Sequence, residues 1–118
     1  MNVAPPRPAV FYDGACPICR REIAHYRGGE GGEAIEWVDV SACGAEALAP
    51  GLTREAALAR MHVRDADGRL VSGARAFAAL WLALPRWRWL GRIVGSAPVA
   101  PVAELGYRAF LVVRRLWR

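Results

Sequence analysis

The run Phe11-Tyr12-Asp13-Gly14-Ala15-Cys16-Pro17-Ile18-Cys19 constrains this chain more than any other stretch. Ala9-Val10-Phe11-Tyr12 reads as a buried strand, and Asp13-Gly14-Ala15 as the turn out of it. Pro17 suits the first position of a helix, where its missing N–H costs nothing. Cys16 then falls at or near the N-cap of a helix running from Pro17 to about Tyr26. A sulfur there meets unpaired backbone N–H groups and the positive end of the helix dipole. Both favour thiolate over thiol and make it a nucleophile near neutral pH. Cys-x-x-Cys spacing between a strand and a helix points to a redox dithiol. Cys19, Ile23 and Tyr26 follow one another at four and three residues and share a helix face. The expectation is an exposed Cys16 at the tip and a Cys19 turned inward.

With 118 residues the chain has the length of one domain. A hydrophobic share of 54% argues against disorder. Three cysteines are too few for a disulfide-stapled scaffold. Residues 1–8 hold three prolines and no apolar core of a signal peptide, and no run approaches the roughly 20 apolar residues of a membrane span. The expected compartment is the cytoplasm. The charge is uneven: residues 1–85 carry nine Arg and ten acids, residues 86–118 seven Arg and one acid, Glu104. The basic balance therefore belongs to the C-terminal part.

Further along, Gly28-Gly29 and Gly31-Gly32 end the first helix, and residues 34–40 alternate as a second strand, parallel to the first. A small-residue stretch over 41–52 holds a short helix. Thr53 caps a helix to about Arg60. Met61-His62-Val63-Arg64 is a third strand, Asp65-Ala66-Asp67-Gly68 a hairpin turn, and Arg69-Leu70-Val71-Ser72 the antiparallel return. Residues 74–84 form an apolar helix with Phe77, Leu80, Trp81 and Leu84 on one face, and Pro85 stops it. Residues 97–101 are read as a bend, and 102–117 as a last helix. The Arg- and Trp-rich segment 86–118 is expected to pack as extra helices with its tryptophans buried and its arginines wet. A membrane-surface or protein-docking face is the next reading. Nothing beyond charge supports nucleic acid.

This order is that of an α/β, thioredoxin-like domain: a central mixed four-stranded sheet flanked by helices over about 8–85, with a helical extension over about 86–118, the whole chain forming one unit. Asp13-x-x-Cys16-x-x-Cys19 within Tyr-Asp-Gly-x-Cys-Pro-x-Cys resembles the signature of the DCC family of thiol-disulfide oxidoreductases. Val63 to Gly68, Gly73 to Phe77 with Leu80-Trp81, Pro85, Trp89-Leu90, Pro98 and Tyr107-Arg108 extend the match.

The resemblance implies thiol-disulfide exchange, with Cys16 as nucleophile and Cys19 as resolving thiol. Pro17 would tune the pair, and Gly14 and Tyr12 would support the loop. Asp13 has two readings: an anchor that accepts loop N–H bonds, or a relay of the Cys19 proton. Thioredoxins place a cis-proline where this chain has Arg60-Met61-His62, so Met61 and His62 are candidate substrate-docking residues on an altered backbone. Ser72-Gly73-Ala74-Arg75 resembles the glutaredoxin segment that holds a glutathione carboxylate. Gly73 and Arg75 are therefore candidates for that group, with glutathione as co-substrate or reductant. The substrate class is a disulfide on a protein or a small molecule. Cys43 reads as a passive thiol and His25 as a solvated residue. No metal site is expected. The alternative is a non-catalytic thioredoxin-like binding or metal-cluster module with a basic docking tail.

Overall fold

Strand β1 (Ala9–Tyr12) lies at the centre of a sheet ordered β2-β1-β3-β4, with β2 at Glu36–Asp39, β3 at His62–Arg64 and β4 at Leu70–Ser72. The computed structural model describes residues 7–44, 48–49 and 51–116. β1 runs parallel to β2 and antiparallel to β3, and β3 pairs antiparallel with β4. This is the mixed four-stranded sheet expected from the sequence.

Alternation along β1 sends its side chains into two apolar layers. Val10 meets Ile23 and Tyr26 of α1 (Pro17–Arg27) and Leu80 of α3 (Ala74–Ala83). Ala9 and Phe11 meet Val38, Leu52 and Ala57, the last on α2 (Arg54–Ala59). Helices thus cover both faces, and the dithiol leaves the C-terminal end of the central strand. Local signals work as read. Thr53 Oγ1 accepts from the Ala56 N–H at 3.1 Å to start α2. Asp65 Oδ1 accepts from the N–H groups of Asp67 and Arg69, both at 2.9 Å, to close the β3–β4 turn. The short helix expected over 41–52 falls partly on 45–47 and 50, outside the described residues. The described residues of that stretch form turns and bends.

The C-terminal part departs from expectation. It forms α4 (Arg88–Val94) and α5 (Ala100–Arg114). Ala100 and Pro101, assigned to a bend, open α5 instead, because a proline is tolerated in a first helical turn. Trp117 lies outside the described residues. Burial is reversed at two positions: Trp89 is 60% exposed, whereas Arg114 is 8% exposed. For Arg114 the reason lies in the packing of α5. Its Tyr107 meets Phe77 of α3, with ring centroids 5.8 Å apart. The face that carries Tyr107 carries Arg114 two turns later. The Arg114 Nη2 then donates to Leu58 O at 2.9 Å and Ala59 O at 3.3 Å, carbonyls at the end of α2. The opposite side of α5 leaves Val102, Leu105, Val112 and Leu116 between 62% and 82% exposed.

Candidate active site

The loop from β1 to α1 is tied before the cysteines are reached. Asp13 is buried, and its Oδ1 accepts from the Ala15 N–H at 3.0 Å. The Cys16 N–H donates to Asp13 O at 3.2 Å. Asp39, at the end of β2, accepts from the Gly14 N–H at 2.9 Å, the Ser41 N–H at 3.0 Å and the Ser41 hydroxyl at 2.6 Å. Two parallel neighbours thereby fix the turn that aims the dithiol.

Cys16 is the N-cap of α1, and its Sγ accepts from the Cys19 N–H at 3.3 Å. The bond satisfies one of the backbone donors that the first turn of α1 leaves open. The expected exposures are overturned, however. Cys16 is 0% exposed and Cys19 half-buried. An N-cap side chain bends back over the first turn to reach the backbone N–H groups, and this hides the sulfur that the sequence put at the tip. Pro17 and Ile18 take the exposed positions instead. Burial pushes the Cys19 thiol up to about 12, and the adjoining Cys16 sulfur pushes the same way; Arg114 pulls against both. Cys19 is therefore the sulfur that holds its proton.

A narrow cleft opens beside Cys19. Ile18, Ile23, Ala57, Met61, Phe77 and Phe110 give it apolar walls. Tyr12, Asp13, Glu22, Tyr107 and Arg114 add the polar groups. Over residues 10–118 the chain matches the model of the DCC1-like thiol-disulfide oxidoreductase family.

The chain belongs to that family.

A thiol-disulfide oxidoreductase role is what this membership supports. An uncharacterized chloroplastic protein of Arabidopsis thaliana is 28% identical over 103 residues, covering 83% of this chain. The match spans 46% of that protein, so this chain corresponds to about half of its length. No solved structure matches.

The DCC1-like site gathers some of the residues singled out from sequence and disperses others. Tyr12, Asp13, Cys19 and Met61 share the cleft, and Gly14, Cys16 and Pro17 build the loop and helix start beside it. The Met61 backbone is fully engaged. Its N–H donates to the Tyr107 hydroxyl at 2.7 Å, and its carbonyl accepts from the Gly73 N–H at 3.0 Å. No backbone group of Met61 is left to pair with an extended substrate segment. His62 turns to the Arg60 carbonyl, 2.9 Å from its Nδ1, and burial lowers its tendency to protonate.

Gly73 and Arg75 belong to a different part of the surface. Arg75 lines an open cleft with Arg60, Glu104 and Arg108. The Ala74 N–H at the start of α3 already holds a carboxylate, that of Glu104, at 3.3 Å. Arg60 grips the same group at 2.6 and 2.7 Å, and Arg108 at 2.9 Å. Gly73 has φ 65°, and a Cβ there would meet Arg60 Nη2 at 2.0 Å and Glu104 Oε1 at 2.3 Å. Conformation and space both require the glycine. Cys43 packs with the layer under α2, and its carbonyl is held by Arg54. Among the described residues no three His, Cys, Asp or Glu side chains gather as a metal site would need.

Tyr107 and Arg114 were missed in the sequence as site residues. Tyr107 enters only through the family pattern, which gives it no role, and an arginine in a basic run carries no local signal. Only the return of α5 to the dithiol gives them their place.

Proposed function

We propose that this DCC1-like protein reduces or forms disulfides through Cys16 and Cys19. The observation that carries the reading is the Cys16 sulfur capping α1 on the Cys19 N–H, with a proton-holding Cys19 beside it. In the reducing direction the Cys16 thiolate attacks one sulfur of a substrate disulfide. A mixed disulfide forms and the first substrate thiolate leaves. Cys19 then loses its proton and attacks Cys16 Sγ. The bond to the substrate breaks, the second thiolate departs and takes up a proton, and Cys16–Cys19 is left oxidised by two electrons. A thiol reductant such as glutathione resets the pair with two electrons. Asp13 serves as loop anchor in this reading.

One observation favours a second reading, in which the domain is a non-catalytic binding module: Cys16 has no exposed surface. Exchange needs the first turn of α1 and Ile18 to yield to an incoming disulfide. Trapping the thiols by alkylation across glutathione buffers separates the two. A reversible two-electron transition of Cys16 and Cys19 between roughly −120 and −270 mV, lost in Cys16→Ser, supports exchange. A pair that stays reduced throughout leaves the binding module standing.

A membrane surface is part of the proposal. Val102, Leu105, Ala109, Val112 and Leu116 recur at three and four residues along the outer side of α5, apolar where a monomer's surface helix is polar. Arg86, Arg88, Arg92 and Arg115 are exposed on this part of the chain, which suits anionic lipid headgroups and disfavours a second, equally basic copy. Among the described residues no helix is long and apolar enough to cross a membrane.

A further inference from the structure

We infer that Arg114 is a catalytic residue of the resolving step, the cation that stabilises the Cys19 thiolate as it forms. The inference rests on the oxidoreductase reading. Arg114 and Cys19 line the same cleft from different helices, α5 and α1. The side chain is nine-tenths buried, where a charge is costly unless it is used. It is also held in place. One guanidinium nitrogen is fixed by the Leu58 and Ala59 carbonyls, which orient the fork but do not neutralise it. The other ionisable side chains on the cleft are Asp13 and Glu22, both acids, and the phenols of Tyr12 and Tyr107. Each of these opposes an anion at Cys19 or is neutral. Arg114 is the cation among the described residues that line the cleft, and its field and hydrogen-bonding reach lower the cost of the Cys19 thiolate.

The step needs this. With Cys16 tied to substrate, the Cys19 S–H must lose its proton before its sulfur can attack Cys16 Sγ. The proton goes to the departing substrate sulfur, or to solvent where that thiol is acidic, the Cys16–substrate bond breaks, and the Cys16–Cys19 bond forms. Arg114 neither gives nor takes a proton. It lowers the energy of the anion between those events. The C-terminal helices are thereby a working part of the active site.

The test is single-turnover reduction of a small aromatic disulfide by the reduced chain, which releases one coloured thiolate at attack and a second at resolution. Arg114→Gln removes the charge and keeps a donor; Arg114→Lys keeps the charge. For every unit by which loss of the charge raises the Cys19 titration, its thiolate falls about tenfold. The more basic sulfur attacks about threefold faster, so resolution should slow about threefold for each such unit. The second release should slow relative to the first in Arg114→Gln, and Arg114→Lys should restore the ratio. Equal rates in all three proteins, or slowing of both releases alike in both variants, overturns the assignment. Should Arg114→Gln not fold, alkylation of Cys19 in Cys16→Ser decides. Iodoacetate, an anion, should gain on neutral iodoacetamide relative to free cysteine, and no gain overturns the assignment. If the wild-type chain gives no first release, the oxidoreductase reading itself has failed.

Discussion

Gly14→Ala offers a sharp test of how the dithiol loop is held. Gly14 is not among the positive-φ glycines, so alanine is compatible with its backbone. The obstacle is space. A Cβ on Gly14 would lie 2.0 Å from Asp39 Oδ2 and 2.4 Å from its Cγ. The carboxylate must swing away, giving up the Gly14 N–H at 2.9 Å and both Ser41 donors. The Ser41 groups are exposed and return to water. The Gly14 bond is part-buried and goes to a charged acceptor, so its loss costs about 1.5–3 kcal/mol. In urea that is a midpoint shift of about 1 M for a domain of this size. A double-mutant cycle isolates the cause. In an Asp39→Ala background the Cβ fits the vacated space, and Gly14→Ala should be neutral, or stabilising by up to about 1 kcal/mol through the unfolded chain. A full, additive penalty in that background would refute the reasoning. It would mean that the loop, and not Asp39, rejects the methyl.

Three further outcomes are expected. Burial tends to raise the Glu104 carboxyl, but Arg60, the Ala74 N–H and Arg108 outweigh it and hold the group below the usual range. Its contribution is present above the ordinary carboxylate pKa of about 4.3 and lost as pH falls through the lower folded value. Glu104→Gln should therefore cost about 1 kcal/mol at neutral pH, with urea curves of the two proteins converging in acid. Tyr107→Phe strands the buried Met61 N–H and should cost about 1–3 kcal/mol by the same assay; an unchanged midpoint would show the bond to be dispensable. Vesicles with anionic lipid should sediment the chain and neutral vesicles should not. Salt or Leu105→Ser with Leu116→Ser should weaken the binding, and equal binding to both vesicle types would remove the electrostatic argument.

What was legible in the sequence was local. Tyr12-Asp13-Gly14 followed by Cys16-Pro17 carries strand end, turn and helix start within a few residues, and Asp65 to Gly68 carries a hairpin in four. Each depends on neighbours in the chain, so the residues suffice. The depth of Cys16 was not legible, because an N-cap sulfur is hidden by its own hydrogen bond and not by its place in the apolar pattern. The roles of Tyr107 and Arg114 were not legible either. Tyr107 acts more than 40 residues from Met61, and Arg114 more than 90 from Cys19, in the numbering. A helix that is apolar on two sides gives no sign of which side meets the core. The same limit applies to Ser72 to Arg75, where the glutaredoxin-like pattern is present while Glu104, from far along the chain, supplies the anion.

That carboxylate at the start of α3 is tethered. A group held on the same chain acts at an effective concentration of roughly millimolar or more without leaving the molecule. Any free carboxylate seeking the Ala74 N–H and the Arg60 guanidinium must compete with that internal rival and displace it. Displacing Glu104 means loosening the contact that α5 makes with α3. The same helix carries Arg114 into the cleft beside Cys19, so a ligand that displaced Glu104 would bear on the element that lines the dithiol site.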